Sequence, residues 1–314
     1  MLRIYLIFTG FLILLVQHFV IPISEHLQFA GFLIGIILLG IPHGSADMLV
    51  ASQNESEKSK FFSGRHFLII YIGRLLMFSL FLFLFPLAGI LFFICFAAYH
   101  FGETDLYFFK TENLSGKILV VSYGLVIVNI ILFNNLIELK TLLHLSGINW
   151  LDRYIFNWAM KYRVAVLSFS VLLFFGSIFY YFLKTGNNET IPDSFIFQFA
   201  FLVFILYNLP LVAGFTFYFI LWHSVLSLRN IIFYLLSNGQ YSIFKILKQI
   251  GFFSSLAFTG IFISGSIGFM FLNNQRMMMW IFGGLAVLTA PHMQVMHNMY
   301  LNIRLKRDIK LIKN

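Results

Sequence analysis

This sequence predicts an all-α fold, a polytopic integral-membrane helical bundle of about ten transmembrane helices with eight as the lower bound. Three observations predict it. Of the 314 residues 60% are hydrophobic and 11% charged, against about a quarter charged in soluble proteins, and the mean hydropathy is +0.89. The apolar residues fall in runs of roughly 20, the length that crosses a hydrocarbon core of about 30 Å. The basic residues behind the net charge of +9 lie between and after these runs. That is the pattern of positive-inside flanks rather than of one soluble basic face, so a lipid bilayer is the expected surrounding and nucleic acid is not an expected partner.

In chain order, the first span is Leu2 to Ile23, too long for the apolar core of a cleavable signal and without a small-residue cleavage site after it. After the turn at Ser24-Glu25-His26, Leu27 to Ile41 returns, ending at the polar knot Gly40-Ile41-Pro42-His43-Gly44-Ser45-Ala46-Asp47. A polar loop from Ser52 to Gly64 leads into His66 to Phe85, and Pro86 opens a fourth span that ends at Tyr99-His100-Phe101. The fifth runs from Lys117 to Leu136. Residues 138–161 mix Trp150, Tyr154 and Trp158 with Lys140, Asp152 and Arg153, a composition suited to an interfacial segment. Tyr162 to Leu183 is the sixth span. The apolar stretch Ser194 to Leu236 is long enough for two more, divided at Asn208-Leu209-Pro210. Ile250 to Leu272 and Met278 to Ile303 complete the set. No internal repeat breaks the chain, which reads as one transmembrane domain over 1–314. The single cysteine, Cys95, has no partner for an internal disulfide.

Lysine and arginine counts orient the spans. With both termini cytoplasmic, that side receives Lys58, Lys60, Arg65, Lys110, Lys117, Lys184, Lys245, Lys248 and the basic tail. The opposite side receives Arg276 and the interfacial segment. The expected location is therefore the cell membrane, as a multi-pass protein.

Polar residues at membrane depth cost a few kcal/mol each and mark functional sites. The charge-based topology carries His43, His100, His223 and His292, on four helices, to a similar depth, with His297 less than two turns beyond His292. Several imidazoles converging without thiolates suit iron, copper, zinc or nickel. His43 and Asp47, four apart, share a helical face, so Asp47 is placed to orient the imidazole; Glu103 and Asp105 are further acceptors for ring N–H groups. A lone histidine in such a place more often makes an interhelical hydrogen bond. Four at one depth favour a metal. The 42 phenylalanines offer apolar lining, although most aromatics in such a bundle pack helices and face lipid. Tyr99 and Trp222, each adjacent to a cluster histidine, are the candidate pocket residues.

The patterns Pro42-His43-Gly44-Ser45-Ala46-Asp47, His100-Phe101-Gly102-Glu103-Thr104-Asp105, Trp222-His223-Ser224 and Pro291-His292 resemble the Brp/Blh family of bacteriorhodopsin-related membrane β-carotene 15,15'-dioxygenases. The resemblance implies a non-haem Fe(II) enzyme that cleaves β-carotene, or a related apolar polyene, at its central double bond with O2 to give retinal. It implies iron ligands at His43, His100 and His223, with Asp47 and Asp105 supporting them. Four residues after His223, where the family pattern often carries a second histidine, this chain has Ser227; His292 is then taken as the fourth ligand, with His297 in reserve. Two other classes compete. One is a transporter or proton-conducting protein using intramembrane histidines as a relay. The other is a non-catalytic carotenoid- or isoprenoid-binding member of the same family.

Overall fold

The computed structural model describes residues 1–57, 62–145, 155–185, 194–237, 239, 241–271 and 274–313. Among these the chain is helical, without strands: α1 Leu2–Val20, α2 Glu25–Asn54, α3 Gly64–Leu84, α4 Pro86–Asp105, α5 Leu114–Asn134, α6 Leu136–Leu145, α7 Ile155–Thr185, α8 Phe195–Asn208, α9 Leu211–Ser237, α10 Ile243–Phe271 and α11 Asn274–Lys313. Helices are the expected solution, since an open chain in hydrocarbon must satisfy its backbone polar groups within itself. Eight of them, all but α6, α8 and α11, contain stretches long and apolar enough to cross a membrane. Their starts are written in the sequence. Ser24, Ser63 and Asn113 accept the N–H groups of Leu27, His66 and Gly116, while Pro86 and Pro210 open α4 and α9. The divide at Asn208-Leu209-Pro210 separates α8 from α9 as expected.

Several boundaries differ from the sequence reading: α7 already begins at Ile155, inside the expected interfacial segment, and α8, Phe195–Asn208, is shorter than the crossing expected there. The polar knot does not end a helix: α2 passes through it, and the chain stays helical to Glu57, into the expected polar loop. A π-helical stretch, Ile36–Gly40, lies just before Pro42, and the Ile41 N–H reaches back to Ile36 O. The widened turn absorbs the N–H that proline lacks. Likewise α4 continues past His100 to Asp105, because Glu103, Thr104 and Asp105 are buried against partners rather than released to water. Of the expected interfacial segment, 146–154 lies outside the described residues; ahead of it, Glu138 on α6 accepts the Leu211 N–H at 2.7 Å and so caps α9.

Hydrogen bonds between helix ends sort them into two layers. At one end of the bundle, Arg3 of α1 meets Asp105 of α4, Arg304 of α11 meets Glu103 of α4, Tyr181 of α7 bonds the Lys110 N–H, and Tyr234 of α9 bonds Asn54. At the other, His18 of α1 reaches Asn208 O of α8, and Asn134 of α5 reaches Tyr207 O. Neighbouring crossings therefore run in alternate directions. Arg3 and Arg304 consequently share one layer.

The main core cluster draws on α1, α4, α5, α7, α8 and α9. Gly102 and Gly124 set the α4–α5 distance: a Cβ on Gly102 would collide with Val120 O, and one on Gly124 with Ala98 O. Small residues at such a crossing let backbones approach closely, which drives helix association in lipid. Polar clamps join α5 to α7, Ser122 to Ser177 at 2.7 Å and Asn129 to Ser170 at 2.6 Å. By contrast α3 turns Leu76, Met77, Leu80 and Phe83 outward, as lipid contact requires. The Phe81–Phe85 stretch is thus largely surface.

Because the atoms opposing Gly124 are backbone, they cannot yield as a side-chain tip would. Gly124→Val should destabilise the protein by about 1–3 kcal/mol, the usual cost of overpacking, whereas Gly176→Ala, with nothing within 4 Å, should be neutral. Thermal unfolding of the two variants in detergent checks this.

Candidate metal centre

Four helices each deliver one imidazole to a single point. His43 comes from the turn of α2 after its π-helical stretch, His100 from the last turns of α4, His223 from the π-helical stretch Phe217–Ser224 of α9, and His292 from α11 beside Pro291. The rings form a closed cycle. Centroids are 5.6 Å apart for His43–His223, 4.7 Å for His223–His100, 5.1 Å for His100–His292 and 4.9 Å for His292–His43. Neighbouring rings meet edge to face at 71–85°. All four residues are at most 5% exposed. His43, His100 and His223 each offer a nitrogen such that the three lie within 4.8 Å of one another.

The nitrogens themselves show what the cluster lacks. His43 Nδ1, both ring nitrogens of His100 and of His223, and His292 Nε2 are buried without a hydrogen-bond partner among the described residues. Leaving a buried polar atom unpaired costs about 1–3 kcal/mol, so this many together would be a heavy burden for packing alone. A divalent metal would supply the missing partner, and an all-imidazole donor set fits iron, copper, zinc or nickel.

The carboxylates do not serve the histidines expected of them. Asp47 was placed beside His43 by helical spacing, yet its Oδ1 lies 2.7 Å from His292 Nδ1, across to α11. A carboxylate only accepts, so His292 Nδ1 carries the proton and Nε2 keeps its lone pair for a metal. Tyr71 on α3 donates to the other oxygen of Asp47 at 2.8 Å. Nothing local in the sequence marks Tyr71; it comes from a separate helix. Asp105, expected to support a ligand directly, bonds no histidine and instead gathers Tyr123, Tyr218 and Trp222. Glu103 likewise faces away from the cycle: its Oε1 is 2.9 Å from His297 Nδ1 and 3.1 Å from Arg304 Nη2.

His297, the reserve ligand, is therefore committed to Glu103. It sits about 140° around the α11 axis from His292, and Pro291 does not bring it round. Tyr99, a candidate pocket residue, has its hydroxyl 3.4 Å from Glu103 Oε1 and 3.2 Å from His297 Nδ1. Trp222, the other, is buried with its indole N–H on Asp105. Ser227 is buried one turn after His223, its hydroxyl without a partner among the described residues. The aromatics that do meet the cycle include Phe101, 4.8 Å from the His223 ring, Tyr218, stacked on His223 at 6.5 Å and 27°, and Phe219, lying on His223 at 6.1 Å and 13° and edge-on to His43 at 6.2 Å. A groove of about 400 Å³ between α5 and α7, around Asn129 and Ser170, carries no histidine or carboxylate.

A family model described as beta-carotene 15,15'-dioxygenase matches residues 34–300, a span containing all four histidines. No curated relative and no solved structure matches the chain.

His43→Ala, His100→Ala or His223→Ala should each abolish metal retention while leaving helix content unchanged, as metal analysis and circular dichroism of the purified variants would show. Asp47→Asn should weaken metal affinity by about 10–100-fold, the usual effect of removing a carboxylate that orients a ligand. Titration of the metal-stripped protein measures it.

Proposed function

The chain belongs to the beta-carotene 15,15'-dioxygenase family, and from that membership we propose that it is a membrane non-haem iron dioxygenase cleaving β-carotene, or a closely related carotenoid, at the central double bond with O2 to give retinal. One observation carries the reading: the closed cycle of His43, His100, His223 and His292, with unpartnered buried nitrogens, at the centre of a lipid-embedded bundle. Those four residues hold the Fe(II). When bound, ferrous iron activates dioxygen, a reaction for which amino-acid side chains alone have no equivalent.

The remaining work falls to this chain's own side chains. Asp47 fixes the tautomer and direction of His292, and the packed apolar surroundings exclude water. The substrate is flat, long and apolar. A line of aromatic rings, Phe29 to Phe32 at 6.1 Å, Phe32 to Phe215 at 5.7 Å and Phe215 stacked on Phe219 at 5.4 Å, leads to the His223 ring. Such a track suits a conjugated chain by stacking and supplies no polar group to compete for it. On this reading Phe215 and Phe219, rather than Tyr99 and Trp222, face the substrate. The protein works in the cell membrane with both termini cytoplasmic, where the lipid phase delivers the carotenoid.

Expression in β-carotene-producing bacteria tests the proposal directly. Loss of orange colour with appearance of retinal by chromatography, together with stoichiometric iron in the purified protein, is the expected result. Iron without retinal would redirect the reading to another polyene, while unchanged carotene with no bound metal would favour the transport or binding alternatives and overturn it.

A further inference from the structure

The π-helical stretch that carries His223 is gripped from outside by a single carboxylate. Asp105, 1% exposed, accepts from Tyr218 Oη at 3.2 Å and from Trp222 Nε1 at 3.0 and 3.1 Å to its two oxygens; both donors belong to Phe217–Ser224. Tyr123 Oη of α5 completes the set at 2.8 Å, and Arg3 lies 3.7 Å away. An eight-residue π-helical stretch is long for a conformation that normally occurs as a single bulge, so something must hold it. A second sign of the altered register is Ser224, whose hydroxyl back-bonds to Phe219 O, five residues earlier. Elsewhere among the described residues the same kind of bond spans three or four, as from Ser122 to Leu119, from Ser45 to Ile41 and from Thr216 to Val212.

The register decides where His223 points. Relaxing a π-helical stretch to α-helix removes the extra residue from a turn and rotates everything after it by about 100°. His223 follows Trp222 directly, and its ring, 4.7 Å from His100, would leave the cycle under such a rotation. We propose that Asp105 is a positioning residue: by anchoring Tyr218 and Trp222 it maintains the π-helical register of α9 and thereby holds His223 in the metal cluster it does not itself touch. The inference rests on the metal-centre reading above.

Cobalt titration of the metal-stripped full-length protein in detergent, followed by affinity and by the visible d–d absorption of bound Co2+, separates the two. Wild-type protein should bind one equivalent. Asp105→Asn and Trp222→Phe should weaken binding at least tenfold and shift the absorption, and Tyr218→Phe should do so to a smaller extent. Tyr123→Phe removes the shortest bond to the same carboxylate but lies outside the π-helical stretch; it should keep affinity within about twofold with an unshifted spectrum. A purely structural Asp105 would lower thermal stability in all these variants and leave the spectrum of bound cobalt unmoved. Native affinity and spectrum in both Trp222→Phe and Tyr218→Phe, or an equal loss in Tyr123→Phe, would overturn the inference while sparing the metal centre. Wild-type protein that takes up no cobalt would overturn the centre and the inference together.

Discussion

Bringing four imidazoles edge to face inside an apolar bundle demands that four helices be fixed in both axial position and rotation. A slip of one residue turns a side chain by about 100° and shifts it 1.5 Å along the axis, enough to remove it from the cycle. In lipid no hydrophobic force between helices enforces such a setting, because the tails are as apolar as the side chains. Close backbone packing and polar contacts must do it. The Gly102 and Gly124 approach fixes α4 against α5, and the three buried carboxylates each tie a histidine-bearing helix to another element.

Those carboxylates divide the task. Asp47 on α2 takes His292 on α11 and Tyr71 on α3. Asp105 on α4 takes Tyr218 and Trp222 on α9. Glu103 on α4 takes His297 and Arg304 on α11. Together they link α2, α4, α9 and α11, the four helices that supply the cycle. A buried carboxylate is tolerable only when its oxygens are met by donors, and each of these is. Removing one donor leaves a charge uncompensated, which is why the network makes helix rotation specific as well as holding the elements together.

Two of the π-helical stretches serve the same end from within the helices. Ile36–Gly40 precedes His43, and Phe217–Ser224 contains His223. They pack against each other where Gly35 meets the side chain of Ile220. Two of the four histidines are thus aimed by irregular turns that face one another.

Much of this was legible in the residues alone. Composition and run length dictate a helical membrane bundle, because a chain with few charges and repeated 20-residue apolar runs has no other way to satisfy its backbone in lipid. The spans, the divide before Pro210 and the four histidines at one depth follow from counting. Local spacing, however, pointed Asp47 at His43, set Glu103 and Asp105 beside metal ligands and put Trp222 in a substrate pocket. The fold sends Asp47 to His292, Glu103 to Arg304 and His297, and Asp105 to Trp222. The sequence determined which side chains reach a common depth within the spans, since depth depends only on distance along a helix of known rise. Only the tertiary structure decided which of them face one another, since facing depends on helix rotation, and rotation here is set by interhelical contacts and by π-helical turns that leave no periodic trace in the chain.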